Sequence, residues 1–170
     1  MIVVVMGVSG SGKSTLGRAL ADALGCDFQE GDDLHPQANI DKMRAGQPLD
    51  DADRGPWLEH VGAWMADEWQ ARRAGVISCS ALKRSYRDTL RRACRSVRFV
   101  FLQLPRSELL RRLQRREHFM PASLLDSQLQ VLEQPQDEPD VLTVAGADDL
   151  ACVLAEVRDW LTSVTAPPRQ

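Results

Sequence analysis

Residues 1–24 read MIVVVMGVSGSGKSTLGRALADAL. The apolar run Ile2 to Met6 has the pattern of a strand buried on both faces. Gly7-Val8-Ser9-Gly10-Ser11-Gly12-Lys13-Ser14 follows and matches the phosphate-binding pattern G-x-x-x-x-G-K-[ST] at every fixed position. From Lys13 to Leu24 apolar residues recur at helical spacing (Leu16, Ala19, Leu20, Ala23, Leu24), and Gly25 stops the helix. Strand, glycine loop and helix therefore come in the order that makes a nest of backbone N–H groups at a helix N-terminus. There, orphan donors and the positive dipole end meet an anion. In such a loop Lys13 reaches the β- and γ-phosphates of a nucleoside triphosphate, and the Ser14 hydroxyl binds Mg²⁺.

A dinucleotide-binding turn is the nearest rival, because Gly10-Ser11-Gly12 begins G-x-G-x-x-G and Asp32 stands where a ribose-binding acid would. It fails at Thr15, which occupies the third glycine position, and at Lys13, which takes a place that calls for a small residue. A GTPase switch fares no better. Asp22-Ala23-Leu24-Gly25 has the letters D-x-x-G but ends a helix rather than following a strand.

The 170 residues suffice for one α/β domain with a substantial core, expected over residues 1–164 with a disordered tail at 165–170. Apolar residues make up 44% and charged residues 26%, an ordinary soluble composition. A net charge of −3 gives no case for nucleic acid or an anionic membrane. The first apolar run is too short for a signal peptide, and no segment approaches the ~20 apolar residues that cross a bilayer. Cys26, Cys79, Cys94 and Cys152 show no C-x-x-C spacing and read as reduced thiols, so a cytoplasmic protein is expected. Of the 21 basic residues only Lys13, Lys42 and Lys83 are lysines. In a chain that otherwise uses arginine, they mark places where a compact ammonium serves better than a planar fork.

Further strands are expected at Cys26–Gln29, Val76–Ser80, Val97–Leu104 and Val141–Val144. Helices are expected from Pro36 to Gly46, from about Pro56 to Arg73, Lys83 to Arg95, Pro105 to Arg116, Pro121 to Leu132 and Asp148 to Leu161. Residues 47–54 read as a polar loop. Strands alternating with helices imply a doubly wound, five-stranded parallel sheet flanked by helices. Trp57, Leu58, Val61, Trp64, Met65, Glu68 and Trp69 form one stripe on the long helix, read as core or subunit interface. His60 and Tyr86 read as structural.

The small size favours transfer of a γ-phosphoryl group to a small acceptor over a switch function. Such a transfer needs a carboxylate near the acceptor hydroxyl, cations around the moving group, and a lid against water. Asp32 and Asp33 close the second strand beside the phosphate loop, and one of them is the expected base or hydroxyl-orienting group. The helix bearing Arg111, Arg112, Arg115 and Arg116 leads into a proline-bounded break, a lid expected over about 106–132. Arg115 and Arg116 at its end are placed to clamp phosphates. The loop at 145–148, after the last strand, is the expected adenine contact. A shikimate or adenylylsulfate kinase, or a non-catalytic nucleotide sensor, would share the phosphate loop.

Five blocks narrow the choice. They are Gly31-Asp32-Asp33-Leu34-His35-Pro36, Asn39-Ile40-Asp41-Lys42-Met43, the run Pro48 to Leu58, the run Cys79 to Asp88, and His118-Phe119-Met120-Pro121 with Leu124-Leu125-Asp126-Ser127-Gln128-Leu129. Together they resemble the gluconokinases of bacteria and eukaryotes over Val3 to about Val144. The resemblance implies an adenylate-kinase-like fold with a mobile lid, ATP and Mg²⁺ as cofactors, and a homodimer. It implies phosphorylation of D-gluconate at its terminal hydroxyl. Carried over by position, Gly7, Ser9, Gly10, Ser11, Gly12, Lys13, Ser14 and Thr15 bind ATP and Asp32 addresses the sugar hydroxyl; with the helix-end arginines, Arg115 is expected on the phosphates and Lys13, Asp32 and Arg116 in catalysis. Asp32, His35, Lys42, Arg54, Lys83, Arg84, Arg87 and His118 are implied for the sugar-acid pocket. The pattern is broken once, where Glu117 precedes His118 in place of glycine and the lid is one residue shorter. Ser80 stands at the end of the third strand where many phosphate-loop proteins keep an acid, so Mg²⁺ is expected on Ser14, phosphate oxygens and water.

Overall fold

A computed structural model describes residues 1–115 and 122–165. Strand β1 (Ile2–Met6) is buried along its whole length at the centre of a five-stranded sheet. The other strands are β2 (Asp27–Glu30), β3 (Gly75–Ser78), β4 (Val97–Gln103) and β5 (Val141–Ala145), in the spatial order β2-β3-β1-β4-β5. Every pairing is parallel, with Ile2 opposite Gly75 on one side and Val97 on the other. Parallel neighbours need crossover connections, so helices must cover both faces. They are α1 (Lys13–Leu24), α2 (Gln37–Arg44), α3 (Asp51–Gln70), α4 (Arg84–Ala93), α5 (Arg106–Gln114), α6 (Ala122–Val131) and α7 (Leu150–Thr165).

The two faces of β1 can be read directly from its alternation. Ile2, Val4 and Met6 pack with Trp57, Val61 and Met65 of α3, Leu90 of α4, and Phe99 and Phe101 of β4. Val3 and Val5 pack on the opposite side with Leu16 and Leu20 of α1 and Val153, Val157 and Leu161 of α7. The chain thus leaves β1 towards one face and β3 towards the other. A crevice opens at the carboxyl ends of these two strands, where doubly wound sheets bind ligands. A third apolar cluster sits at that end, joining Val8 of the glycine loop, Leu82, Leu109 and Leu113 of α5, and Leu125 of α6.

Several boundaries differ from expectation for local reasons. Helix α3 begins at Asp51, inside the stretch read as a loop. Asp50 caps it, accepting from the Asp53 N–H at 2.8 Å, while the Asp53 carboxylate accepts from the Asp50 N–H at 3.1 Å. Pro56 therefore lies inside the helix rather than at its start. The acids after β2 form a short 3-10 turn, Gly31–Leu34, and β3 ends at Ser78 rather than Ser80. Of the tryptophan stripe, Trp57 is fully buried, Trp64 packs at the edge of the core and Trp69 is 47% exposed. All four cysteines are free thiols. No helix among the described residues is long and apolar enough to cross a membrane.

Candidate active site

The phosphate loop is shaped by backbone that only glycine tolerates. Gly7 has φ 146°, and a Cβ there would lie 2.9 Å from Ser11 Oγ and 3.0 Å from the Leu102 carbonyl oxygen. Lys13 folds back over the loop and donates to the Val8 carbonyl at 3.1 Å, while Ser14 stands in the first turn of α1. Ser11 Oγ is buried with no hydrogen-bond partner among the described residues. Such an orphan at a phosphate loop calls for a ligand oxygen. Ser11, Gly12 and Thr15 line a recess closed by Arg112, Gly146 and Asp148. Arg112 reaches the loop itself, donating to the Ser11 carbonyl at 3.3 Å and the Gly146 carbonyl at 2.8 Å, with Glu108 steadying its Nε at 2.8 Å.

Across the loop lies a second cavity, lined by Ser9, Asp32, His35, Arg54, Ser80 and Gln128 among others. Asp32 is placed by its neighbour Gly31. The Gly31 N–H donates to Ser78 Oγ at 3.0 Å, and its carbonyl accepts from Trp57 Nε1 at 2.7 Å. Ser78 in turn donates to Glu30. A Cβ on residue 31 would sit 1.9 Å from the Ser78 carbonyl oxygen, so only glycine lets the turn lie this close to β3. The Asp32 carboxylate is left 69% exposed and open to an incoming group.

His35 stacks on Trp57 with centroids 4.3 Å apart. Asn39 Nδ2 donates to the Asp53 carbonyl at 2.7 Å and faces His35 Nδ1 at 3.2 Å, so Nδ1 accepts and Nε2 carries the proton. That nitrogen lies 4.0 Å from Asp32 Oδ1. Burial lowers the His35 pKa to about 4; Asp32 opposes the shift and Arg54 adds to it. The ring is therefore neutral at pH 7. Arg54 is only 8% exposed, yet its hydrogen bonds are one of 3.4 Å to the Leu49 carbonyl and one of 3.4 Å to Ser80 Oγ, and its guanidinium lies 5.9 Å from the centre of the Tyr86 ring. It pairs with no carboxylate among the described residues. A nearly buried cation with two long hydrogen bonds is equipped to receive an anion.

Asp32, His35 and Arg54 thus meet in one cavity, and of the other residues expected there, Lys42, Lys83, Arg84 and Arg87 do not line it. Lys42 pairs with Asp53 at 2.7 Å, and Lys83 pairs with Asp51 at 2.7 Å on a shallow outer face. Arg84 is exposed at the start of α4. Arg87 is fully buried and points into the protein, donating to Glu138 and to the carbonyls of Ala81 and Leu82. Its charge is spent on holding the loop after β3, not on a ligand. Arg115 caps α5, and Arg112 one turn earlier is the arginine that touches the phosphate loop. Arg116 and His118 lie outside the described residues. Tyr86 donates to Asp51, and His60 Nδ1 lies 3.0 Å from the Leu34 carbonyl, structural contacts in both cases.

Three site residues escaped the sequence reading. Trp57 stood in a stripe read as core or subunit interface; Arg112 is the flank of the Leu109/Leu113 stripe; Gln128 lies one helical turn beyond Leu124, within a block noted only for its resemblance. No cluster of three or more His, Cys, Asp or Glu among the described residues could hold a metal by itself. A hydroxyl such as Ser14, completed by phosphate oxygens and water, is the donor set that suits Mg²⁺, which sheds its waters reluctantly.

Comparison with known proteins gives a consistent result. Residues 2–135 match a family model described as an AAA domain. A gluconokinase of Gluconobacter oxydans (strain 621H) is 53% identical over 156 residues, covering 91% of this chain and 88% of that protein. The thermosensitive gluconokinase of Escherichia coli (strain K12) is 44% identical over 163 residues, covering 95% and 87% respectively. The crystal structure of a gluconokinase from Sinorhizobium meliloti 1021 superimposes with a TM-score of 0.84 at 47% identity, over 96% of this chain and 97% of that one.

Proposed function

Because this chain belongs to the gluconokinase family, we propose that the cavity between Ser9 and Asp32 is where the γ-phosphoryl group of ATP meets the 6-hydroxyl of D-gluconate. Its reaction is ATP-dependent phosphorylation of D-gluconate, giving 6-phospho-D-gluconate and ADP. The observation that bears most weight is the joint presence, in one cavity bordered by the phosphate loop, of an open carboxylate, Asp32, and a buried cation, Arg54, that pairs with no carboxylate among the described residues.

Asp32 accepts the proton of the 6-hydroxyl as its oxygen bonds to the γ-phosphorus, and the bond to the bridging oxygen of ADP breaks. His35 presents a neutral Nε2–H towards Asp32, keeping a donor beside the carboxylate without a charge that would weaken it as a base. Arg54 takes the sugar carboxylate in a charge-assisted grip. Lys13, with the N–H groups at the start of α1, balances charge on the β- and γ-phosphates, and Arg112 covers the nucleotide recess beside Gly146. Mg²⁺, held through Ser14, would neutralise further phosphate charge.

In this reading residues 1–164 form one kinase domain in the cytoplasm. Helices α5 and α6 are the base of a lid over about 106–132 that shuts water out. The exposed Trp69 face belongs to a homodimer contact, which light scattering on purified protein tests. The central test is Asp32→Asn. It should lower gluconate-dependent kcat by at least roughly 10²-fold with little change in the KM for ATP. Near-normal turnover would remove Asp32 from the chemistry, and a product phosphorylated elsewhere than O6 would misplace the sugar.

A further inference from the structure

Ser9 is the phosphate-loop residue that borders the acceptor cavity, and it is held from outside the loop. Its N–H donates to Gln128 Oε1 at 2.7 Å, and Gln128 Nε2 donates back to Ser9 Oγ at 3.1 Å. One primary amide thus engages both a donor and an acceptor of a single loop residue, across 119 positions of sequence. A reciprocal pair of this kind fixes the rotamers of both partners and the distance between their backbones. It is reinforced three residues back on α6, where Leu125 is fully buried in the cluster that contains Val8, the neighbour of Ser9. Leu124 and Ser127, on the adjoining face of α6, complete the cavity wall.

We propose that Gln128 is a positioning residue that locks α6 onto the acceptor-facing corner of the phosphate loop, so that the γ-phosphoryl group meets the sugar hydroxyl and not water. The inference rests on the preceding reading of this cavity as the transfer site. Two outcomes compete there. In the productive one, O6 bonds to the γ-phosphorus, the bond to the β,γ-bridging oxygen breaks, and the hydroxyl proton goes to Asp32. In the futile one, a water oxygen takes the place of O6 and inorganic phosphate leaves with ADP. The same carboxylate and cations serve both, so discrimination depends on how tightly the wall is closed while the acceptor is in place. Gln128 is suited to this work because it carries no charge to repel the phosphates, and because its two bonds run to the loop rather than to the sugar.

The experiment measures ADP and 6-phosphogluconate in the same reaction for wild type, Gln128→Ala, Ser9→Ala and the double variant. A wild-type ratio near one supports the transfer-site reading; no sugar phosphate from wild type would sink that reading independently of Gln128. Gln128→Ala should lower gluconate-dependent kcat by roughly ten- to a hundredfold, the range of a small misplacement at a reacting centre. Its sugar phosphate per ADP should fall well below one. Ser9→Ala leaves the apolar packing of α6 intact and should lower the same ratio by less. The double variant should be no worse than Gln128→Ala, because the two residues act through one contact. A ratio that stays at one in Gln128→Ala, whatever its rate, overturns the proposal, as do additive losses. Should Gln128→Ala not fold, an unchanged ratio in Ser9→Ala overturns it alone.

Discussion

Replacing Arg54 by methionine should separate binding from stability. The guanidinium is 8% exposed, its two hydrogen bonds are both 3.4 Å, and Asp51 and Asp53 beside it are committed to Lys83 and Lys42. Bonds at that length return little of the several kcal/mol that desolvating a cation costs. Methionine has similar reach and no charge to bury, so the unliganded protein should melt at the same temperature or a few degrees higher; ~1 kcal/mol corresponds to about 2–4 °C at this size. Gluconate binding should move the other way. Charge-assisted hydrogen bonds contribute about 1.5–3 kcal/mol each, so losing a two-bonded grip removes at least about 3 kcal/mol, or a hundredfold in kcat/KM. The loss should appear mainly in the KM for gluconate, with the KM for ATP within about twofold. Steady-state kinetics at varied gluconate and ATP, with thermal melts of the apoprotein, measures both quantities. A melting temperature lower by more than about 6 °C with an unchanged gluconate KM would show that Arg54 is a structural cation, and the pocket would need another anchor.

Three further outcomes follow from the same contacts. Arg87→Met leaves the buried Glu138 with Arg91 but without its second arginine, and should cost roughly 1.5–3 kcal/mol of stability, measured by denaturant unfolding; the folded enzyme should keep its gluconate KM, and a raised KM would return Arg87 to the pocket. His35, with its pKa lowered from 6.5 to about 4, contributes stability that is whole above pH 6.5 and lost as pH falls towards about 4, because the unfolded chain takes up a proton that the folded ring refuses. His35→Gln should flatten the melting-temperature profile across that window, and an unchanged slope would refute the assignment. Arg112→Ala removes the contacts to Ser11 and Gly146 and should raise the KM for ATP several-fold more than that for gluconate; the reverse order would place the nucleotide elsewhere.

The nucleotide half of the site was legible because its determinants are contiguous. A buried strand, the glycine loop and Lys13-Ser14 fix one another within residues 2–24, and β1 and α1 run between the expected bounds. The start of α3 was hidden because Gly55-Pro56 mimics a helix start, whereas the true signal is the Asp50–Asp53 capping box. Arginines were the hardest to assign. Arg84 and Arg87 stand in one block, and only the helical phase of Tyr86, Arg87 and Leu90 on the buried side tells them apart. Even that phase does not reveal that the partner is Glu138, 51 positions away between two prolines. Trp57 and Gln128 carry no local mark of function, since each acts on a backbone group that the fold brings to it.

The scarcity of lysine takes on a different meaning once the first turn of α3 is seen. That turn carries Asp51 and Asp53, three and one positions ahead of Arg54, a charge pattern that favours the helix N-terminus but would also attract the guanidinium. Lys42, from α2, takes both oxygens of Asp53 at 2.7 and 2.8 Å. Lys83 takes both oxygens of Asp51 at 2.7 and 2.8 Å from the loop before α4, and Tyr86 adds its hydroxyl. These hydrogen bonds lower the pKa of both acids and hold them ionised on the outer side of the turn. A compact ammonium can close on both oxygens of a carboxylate in this way without the flat span of a guanidinium. Neither lysine needs to touch the sugar acid to serve its recognition. By occupying Asp51 and Asp53 they keep those carboxylates from Arg54, and under the proposed reading that leaves a buried cation to select an anionic substrate over a neutral polyol.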